Sequence, residues 1–192
     1  MNTRSSLAAM SLFLVPFALS SSADVVQSVS NGFQIKVSQK IELDPADSSH
    51  AFVHDFNKWW DPSHSYSGEA ENLSIDLKQR CFLERLPTDG NEKDGNENGF
   101  VRHLEVVYYD PCKSIRFTGG LGPLQQMGVC GALTINFKKD GDTTHLELEY
   151  NVSGRLEQGL DKIAPAVDKV ISAQMQRYAD WCKQRPPAKS EK

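Results

Sequence analysis

Residues 33–43, FQIKVSQKIEL, place Phe33, Ile35, Val37, Ile41 and Leu43 on one side of an extended chain and Gln34, Lys36, Ser38, Lys40 and Glu42 on the other. An alternation this strict predicts an antiparallel strand with one face on a core and the other in water. THLELEYNVSG at 144–154 repeats it, with Leu146, Leu148, Tyr150 and Val152 inward and His145, Glu147, Glu149 and Asn151 outward. Strands of this kind need a cover over their apolar face, and that need limits the folds open to the chain.

The cover is readable near the C-terminus. From Leu160 to Cys182 the apolar period becomes helical, through Ile163, Val167, Val170, Ile171, Gln174 and Tyr178. Pro165 either kinks the first turns or starts the main helix. A shorter helix follows the first strand. Asp44-Pro45 supplies an N-cap and a first-turn proline, and Phe52, Phe56, Trp59 and Trp60 recur at helical spacing up to a stop at Asp61-Pro62. Six further strands are expected, over 72–77, 81–87, 99–109, 113–119, 129–139 and 144–154. Turn residues at Asp89-Gly90, Asp110-Pro111 and Asp140-Gly141 separate several of them. The order predicts an α+β fold in which a curved antiparallel sheet wraps a long C-terminal helix. Such a fold leaves room for a ligand between sheet and helix.

This order of elements resembles the helix-grip fold of the START-like, or SRPBCC, superfamily. More specifically, WWDPSHSYSGEAENLSIDL, CFLERL, GGLGPLQQMGVCGALTINF and the Y-x-V-x-G run at 150–154 resemble exported bacterial SRPBCC proteins of the polyketide cyclase/dehydrase-like and heat-shock-ATPase-activator-like kinds. The resemblance spans most of residues 33–182. It implies a hydrophobic cavity under the terminal helix and fixes no chemistry, because one fold serves many functions.

Residues 1–23 read as a cleaved signal peptide. Arg4 precedes an apolar run from Leu7 to Leu19, and Ser21-Ser22-Ala23 supplies small residues for a cut after Ala23. The run is shorter than the ~18–20 residues that span a bilayer, so no stable membrane insertion is expected after cleavage. An exported protein, periplasmic or extracellular, follows as the expectation. One domain is expected over 24–185, with a polar tail at 186–192 and a polar surface loop at 90–99. The formal net charge of −4 argues against a nucleic-acid partner, which needs a basic stripe. Cys81, Cys112, Cys130 and Cys182 are widely spaced, with no C-x-x-C pair. Zinc is therefore not expected. Disulfides and free buried thiols both remain open.

The uncharged run GGLGPLQQMGV at 119–129 raises the question of a phosphate loop, but no Gly-Lys-Ser/Thr opens a helix after it and no G-x-G-x-x-G is present. No cofactor is expected. The loop is read as a cavity entrance presenting Leu121, Leu124 and Met127, or as simple closure of the core. Acid–base candidates are His64 and Tyr66 in DPSHSYSG, whose composition is also that of an ordinary loop, together with Glu84. If Phe100, Leu104 and Val106 face inward, strand parity carries Arg102 in with them and turns His103 and Glu105 to water. An inward Glu84–Arg102 pair holding a polar ligand group is then one reading, and a cross-strand surface pair the other.

The apolar lining is expected from Trp60, Leu104, Val106, Phe117, Leu121, Leu124, Leu133, Ile135, Leu148, Tyr150, Val167, Ile171 and Met175. The function these residues suggest is binding of a hydrophobic small molecule or lipid. The alternatives are a cyclase- or dehydratase-type enzyme using His64, Tyr66 and Glu84, and a module that binds a protein partner.

Overall fold

The structure, a computed structural model, describes residues 22–88 and 98–185. The segment 1–21, the Asp89-Gly90 turn, most of the 90–99 loop and the 186–192 tail lie outside the described residues. Among the described residues eight strands form one antiparallel sheet: β1 Ser22–Val29, β2 Gly32–Ile41, β3 Leu73–Asp76, β4 Cys81–Leu86, β5 Gly99–Asp110, β6 Ser114–Gly119, β7 Cys130–Asp140 and β8 Thr143–Ser153. Their spatial order is β1-β2-β8-β7-β6-β5-β4-β3. β3 to β8 make a meander, and the first hairpin closes onto its last strand. Phe33 then lies opposite Val152, and Ile35 opposite Tyr150.

The two alternating segments that stand furthest apart in the sequence are thus neighbours, and their apolar faces make one surface. Ile35, Val37, Leu146, Leu148 and Tyr150 are all buried. β1 is an addition to the sequence expectation. Its Val26 and Val29 are exposed, so it carries no inward–outward alternation to read.

Helix α1, Pro45–His54, begins as the sequence requires: the Asp44 carboxylate accepts the Ala46 and Asp47 N–H groups at 2.9 Å. The chain breaks at Asp55 and resumes as the one-turn α2, Phe56–Trp59. Phe52, Phe56, Trp59 and Trp60 are all buried, and Phe56 stacks on Trp60 at 5.1 Å between ring centres. Pro165 sits at the start of α3, Ala164–Gln184, where its missing N–H breaks no bond. α3 packs across β1, β2, α1 and α2. Its C-terminal half is bound by Tyr178, whose hydroxyl meets the Ser48 carbonyl at 2.7 Å and the Ser48 hydroxyl at 2.8 Å.

Strand β5 departs from simple alternation. Phe82 pairs with Leu104, yet Leu83 pairs with Arg102, so His103 is an extra residue opposite β4. A second irregularity leaves Val107 unpaired against β6. Bulges of this kind bend a strand and increase its twist. They also move side chains from one face to the other, and the candidate site depends on that move.

Candidate functional site

A cavity of about 430 Å³ opens between the concave face of the sheet and the N-terminal half of α3. Its walls come from four places in the chain. α3 supplies Ala166, Val167, Val170 and Ile171, preceded by Ile163. The glycine-rich loop supplies Leu121, Gly122, Pro123, Leu124 and Met127. The segment after α2 gives Trp60 and residues 63–66, and the sheet gives Phe82 and His103. The walls are mostly apolar; the polar groups are Ser63, His64, Ser65 and Tyr66 from the loop after α2 and His103 from the sheet.

Short local bonds hold each wall. After α2, the Asp61 carboxylate accepts the Ser63 N–H at 3.0 Å, the Ser65 hydroxyl donates to the Pro62 carbonyl at 2.7 Å, and the Trp60 indole N–H reaches the His64 carbonyl at 3.2 Å. Two further bonds fix this segment to α3: Asp61 N–H to Gln174 Oε1 at 2.9 Å, and Arg177 Nε to the Trp59 carbonyl at 3.0 Å. The glycine-rich loop bends at Gly119, Gly122 and Gly128, whose φ angles of 129°, 56° and 66° disfavour residues with a Cβ. The Leu121 N–H donates to the Tyr150 hydroxyl at 3.3 Å, and the Gln125 side chain donates to the Arg102 carbonyl. Burial pushes the Tyr150 phenol up to about 12, so it stays a neutral anchor for the loop.

One buried polar pair stands at the sheet side. His103, 3% exposed, lines the cavity, and behind it lies Glu84, 0% exposed, with Nε2 and Oε2 2.8 Å apart. The other carboxylate oxygen accepts the Ser67 N–H at 2.5 Å. Burial by itself would raise the Glu84 pKa. The donors from Ser67, the Tyr66 backbone and His103 outweigh it and hold the carboxyl below its ordinary value. For His103 burial prevails over the neighbouring carboxylate, and its pKa falls below the ordinary value. Burial disfavours the imidazolium, and because a carboxylate oxygen can only accept, the hydrogen of this contact lies on Nε2. Phe82 lies against the imidazole at 4.5 Å between ring centres, and Tyr66 is stacked at 5.8 Å.

No sequence-family model matches the chain, and no curated protein sequence does. Solved structures do. Mll3558 from Rhizobium loti is 16% identical, covers 78% of this chain and 96% of its own, and has a TM-score of 0.55. An uncharacterised protein from Rhizobium leguminosarum is 11% identical over 86% of this chain and 99% of its own, with a TM-score of 0.52. Ara h 8.0201 is 9% identical over 80% and 99%, with a TM-score of 0.53. The chain has the helix-grip fold. At these identities the likeness is one of architecture, and the helix-grip cavity has to be read from its own residues.

Within the helix-grip frame, Trp60, Leu121, Leu124, Val167 and Ile171 line the main cavity. Leu104, Phe117, Leu133, Leu148 and Met175 surround a small void beneath it, next to Phe52 and Phe56. Val106, Ile135 and Tyr150 are buried core residues that line neither space. His64 and Tyr66 sit on the cavity wall, and Glu84 reaches it only through His103.

The inward Glu84–Arg102 pair is corrected by the bulge. With His103 inserted, both His103 and Leu104 face inward, while Arg102 turns out and bonds the Gln79 carbonyl at 2.9 Å. Phe100 is turned out with it and is 70% exposed. His103 is thus the residue that parity reasoning missed. A histidine two strand positions from Val101 and Glu105 carries no local signal of a bulge, since no glycine or proline marks it.

All four cysteines are free thiols, Cys81 and Cys182 buried, Cys112 and Cys130 exposed. Among the described residues, no group of three or more His, Cys, Asp or Glu side chains could hold a metal ion. Nor is any helix there long and apolar enough to cross a membrane.

Proposed function

We propose that this chain binds a hydrophobic small molecule or lipid between the sheet and α3, for transport or sequestration, as one exported domain over residues 24–185. The observation that carries the reading is the cavity itself: about 430 Å³, walled by apolar side chains of α3 and the glycine-rich loop. Spaces of this size and character are typical of small-molecule sites. Each Å² of apolar surface taken from water contributes about 25 cal/mol, so an apolar ligand needs few directional contacts to be held. Export through a signal peptide cleaved near Ala23 belongs to the same proposal.

The test is native mass spectrometry of the protein purified from its own host, followed by solvent extraction of what it carries. A co-purifying apolar molecule supports the reading and identifies its class. A protein that is folded, empty and unable to take up any of a panel of fatty acids and polycyclic aromatics overturns it.

A second reading, an acid–base enzyme of cyclase or dehydratase type, is favoured by one observation. His103, backed by Glu84, shares the cavity with His64 and Tyr66. Turnover of an extracted ligand that His103→Gln abolishes, with binding retained, would establish it.

A further inference from the structure

The Nδ1 of His103 is buried and has no hydrogen-bond partner. Its Nε2–H is committed to the Glu84 carboxylate, which can only accept. Nδ1 is therefore an acceptor. An acceptor left unmet in a protein interior costs about 1–3 kcal/mol, so the molecule maintains this one at a cost. The ring it belongs to lines the ligand cavity, and the rings beside it, Phe82 and Tyr66, present their faces. Of the other walls, those from the glycine-rich loop and α3 are apolar, and the loop after α2 adds Ser63, His64, Ser65 and Tyr66.

The geometry points to a largely apolar ligand that carries a hydrogen-bond donor, a hydroxyl or N–H on a hydrocarbon frame, set down on His103 Nδ1. This rests on the ligand-binding reading and deepens it by naming a polar group the ligand must carry. Glu84 is then a positioning residue. It touches no ligand, and it sets which nitrogen carries the hydrogen.

That role gives a test that packing alone would not pass. In Glu84→Gln the Ser67 N–H still demands an oxygen at one end of the side chain, so the amide NH₂ is placed toward His103. The imidazole must then accept at Nε2 and carry its hydrogen on Nδ1, and the cavity changes from acceptor to donor. The probes are 2-naphthol, a donor, 2-methoxynaphthalene, which has none, and 2-acetylnaphthalene, a stronger acceptor, each titrated calorimetrically into the full chain.

The wild-type protein is expected to prefer 2-naphthol over the ether by roughly tenfold, the worth of one good buried hydrogen bond. In Glu84→Gln the preference should shift toward the ketone by a similar factor. In the wild type the ¹⁵N resonance of His103 Nδ1 should move upfield with 2-naphthol and stay put with the ether, a readout that holds even if Glu84→Gln does not fold. Equal binding of all three probes with an unmoved resonance overturns the donor assignment and leaves the cavity reading standing. Failure of every probe to bind overturns both.

Discussion

Glu84 and His103 lie on adjacent strands, both buried, with Oε2 and Nε2 2.8 Å apart. The contact exists because an extra residue in β5 turns a histidine inward beside a carboxylate that ordinary alternation already placed there. It joins the sheet to the loop after α2 through the Ser67 N–H, so one side chain sets both the floor of the cavity and part of its rim.

Removing the imidazole should be far more damaging than neutralising the acid. His103→Phe leaves Glu84 a buried charge without the donor at Oε2, and a charged acceptor left unmet in the interior costs about 3 kcal/mol. Glu84→Gln keeps a bond to Ser67 and to His103 and should lie within about 1 kcal/mol of wild type. Urea unfolding midpoints decide the matter. Equal losses would mean that the imidazole contributes packing alone.

Acid should destabilise the protein through the same pair. Burial lowers the His103 pKa below its ordinary 6.5, and Glu84 is the charged group that opposes the fall. Below pH 6.5 the unfolded chain therefore takes up a proton that the folded protein refuses until its own lower pKa is reached. Stability is full above 6.5 and declines as pH drops, by at most about 1.4 kcal/mol per pH unit for one proton. Glu84, also lowered, adds a second decline beginning below 4.5. Melting temperatures measured from pH 7.5 to 5 should fall less steeply for His103→Gln than for wild type. Parallel curves would assign the titration elsewhere, His50 being the other lowered histidine.

The glycine-rich loop makes two separable demands. At Gly120 an added Cβ would meet the Gln125 nitrogen, the Leu124 carbonyl carbon and the Val129 oxygen at 2.8–2.9 Å, all of them backbone. Gly120→Ala must push the loop open, and should weaken 2-naphthol binding as well as stability. At Gly128, which does not line the cavity, there is open space but φ is 66°, so Gly128→Ala costs about 1 kcal/mol of left-handed strain. Its binding should be close to wild type. Calorimetry on the two variants separates shape from strain, and equal affinities would show that Leu121 and Leu124 are not positioned by the tight turn.

Much of this fold was legible because strands such as β2, β7 and β8 face water on one side, so inward and outward residues alternate in the sequence. The start of α1 was equally plain, since the Asp44 carboxylate caps it within one turn, whereas Pro165 left a kink or a helix start open and proves to start α3. β1 was not legible, as an edge strand with exposed valines shows no alternation. The site was half legible. Trp60, Leu121 and Ile171 followed from pattern, and Glu84 followed from its parity with Phe82. Its partner did not, because a bulge is a property of two strands paired in register, and β5 alone does not reveal it. Val106, Ile135 and Tyr150 show the opposite limit: an inward face predicts burial but not which buried residues border the void.

That distinction can be tested by filling the cavity and by thinning the core. Val170 is half-buried and lines the cavity from α3, where a larger side chain meets space before it meets protein. Val170→Trp should abolish measurable 2-naphthol binding while leaving the melting temperature within a few degrees of wild type, since no core contact is removed. Ile135 is fully buried on β7, opposite Leu148 and Ile115, and borders neither space. Ile135→Ala should lose about 2–5 kcal/mol of stability, yet bind 2-naphthol with wild-type affinity at a temperature where it remains folded. If Val170→Trp still binds, the ligand enters elsewhere than under α3. Should Ile135→Ala lose affinity while folded, the sheet beneath the cavity is coupled to the site and the two spaces act as one.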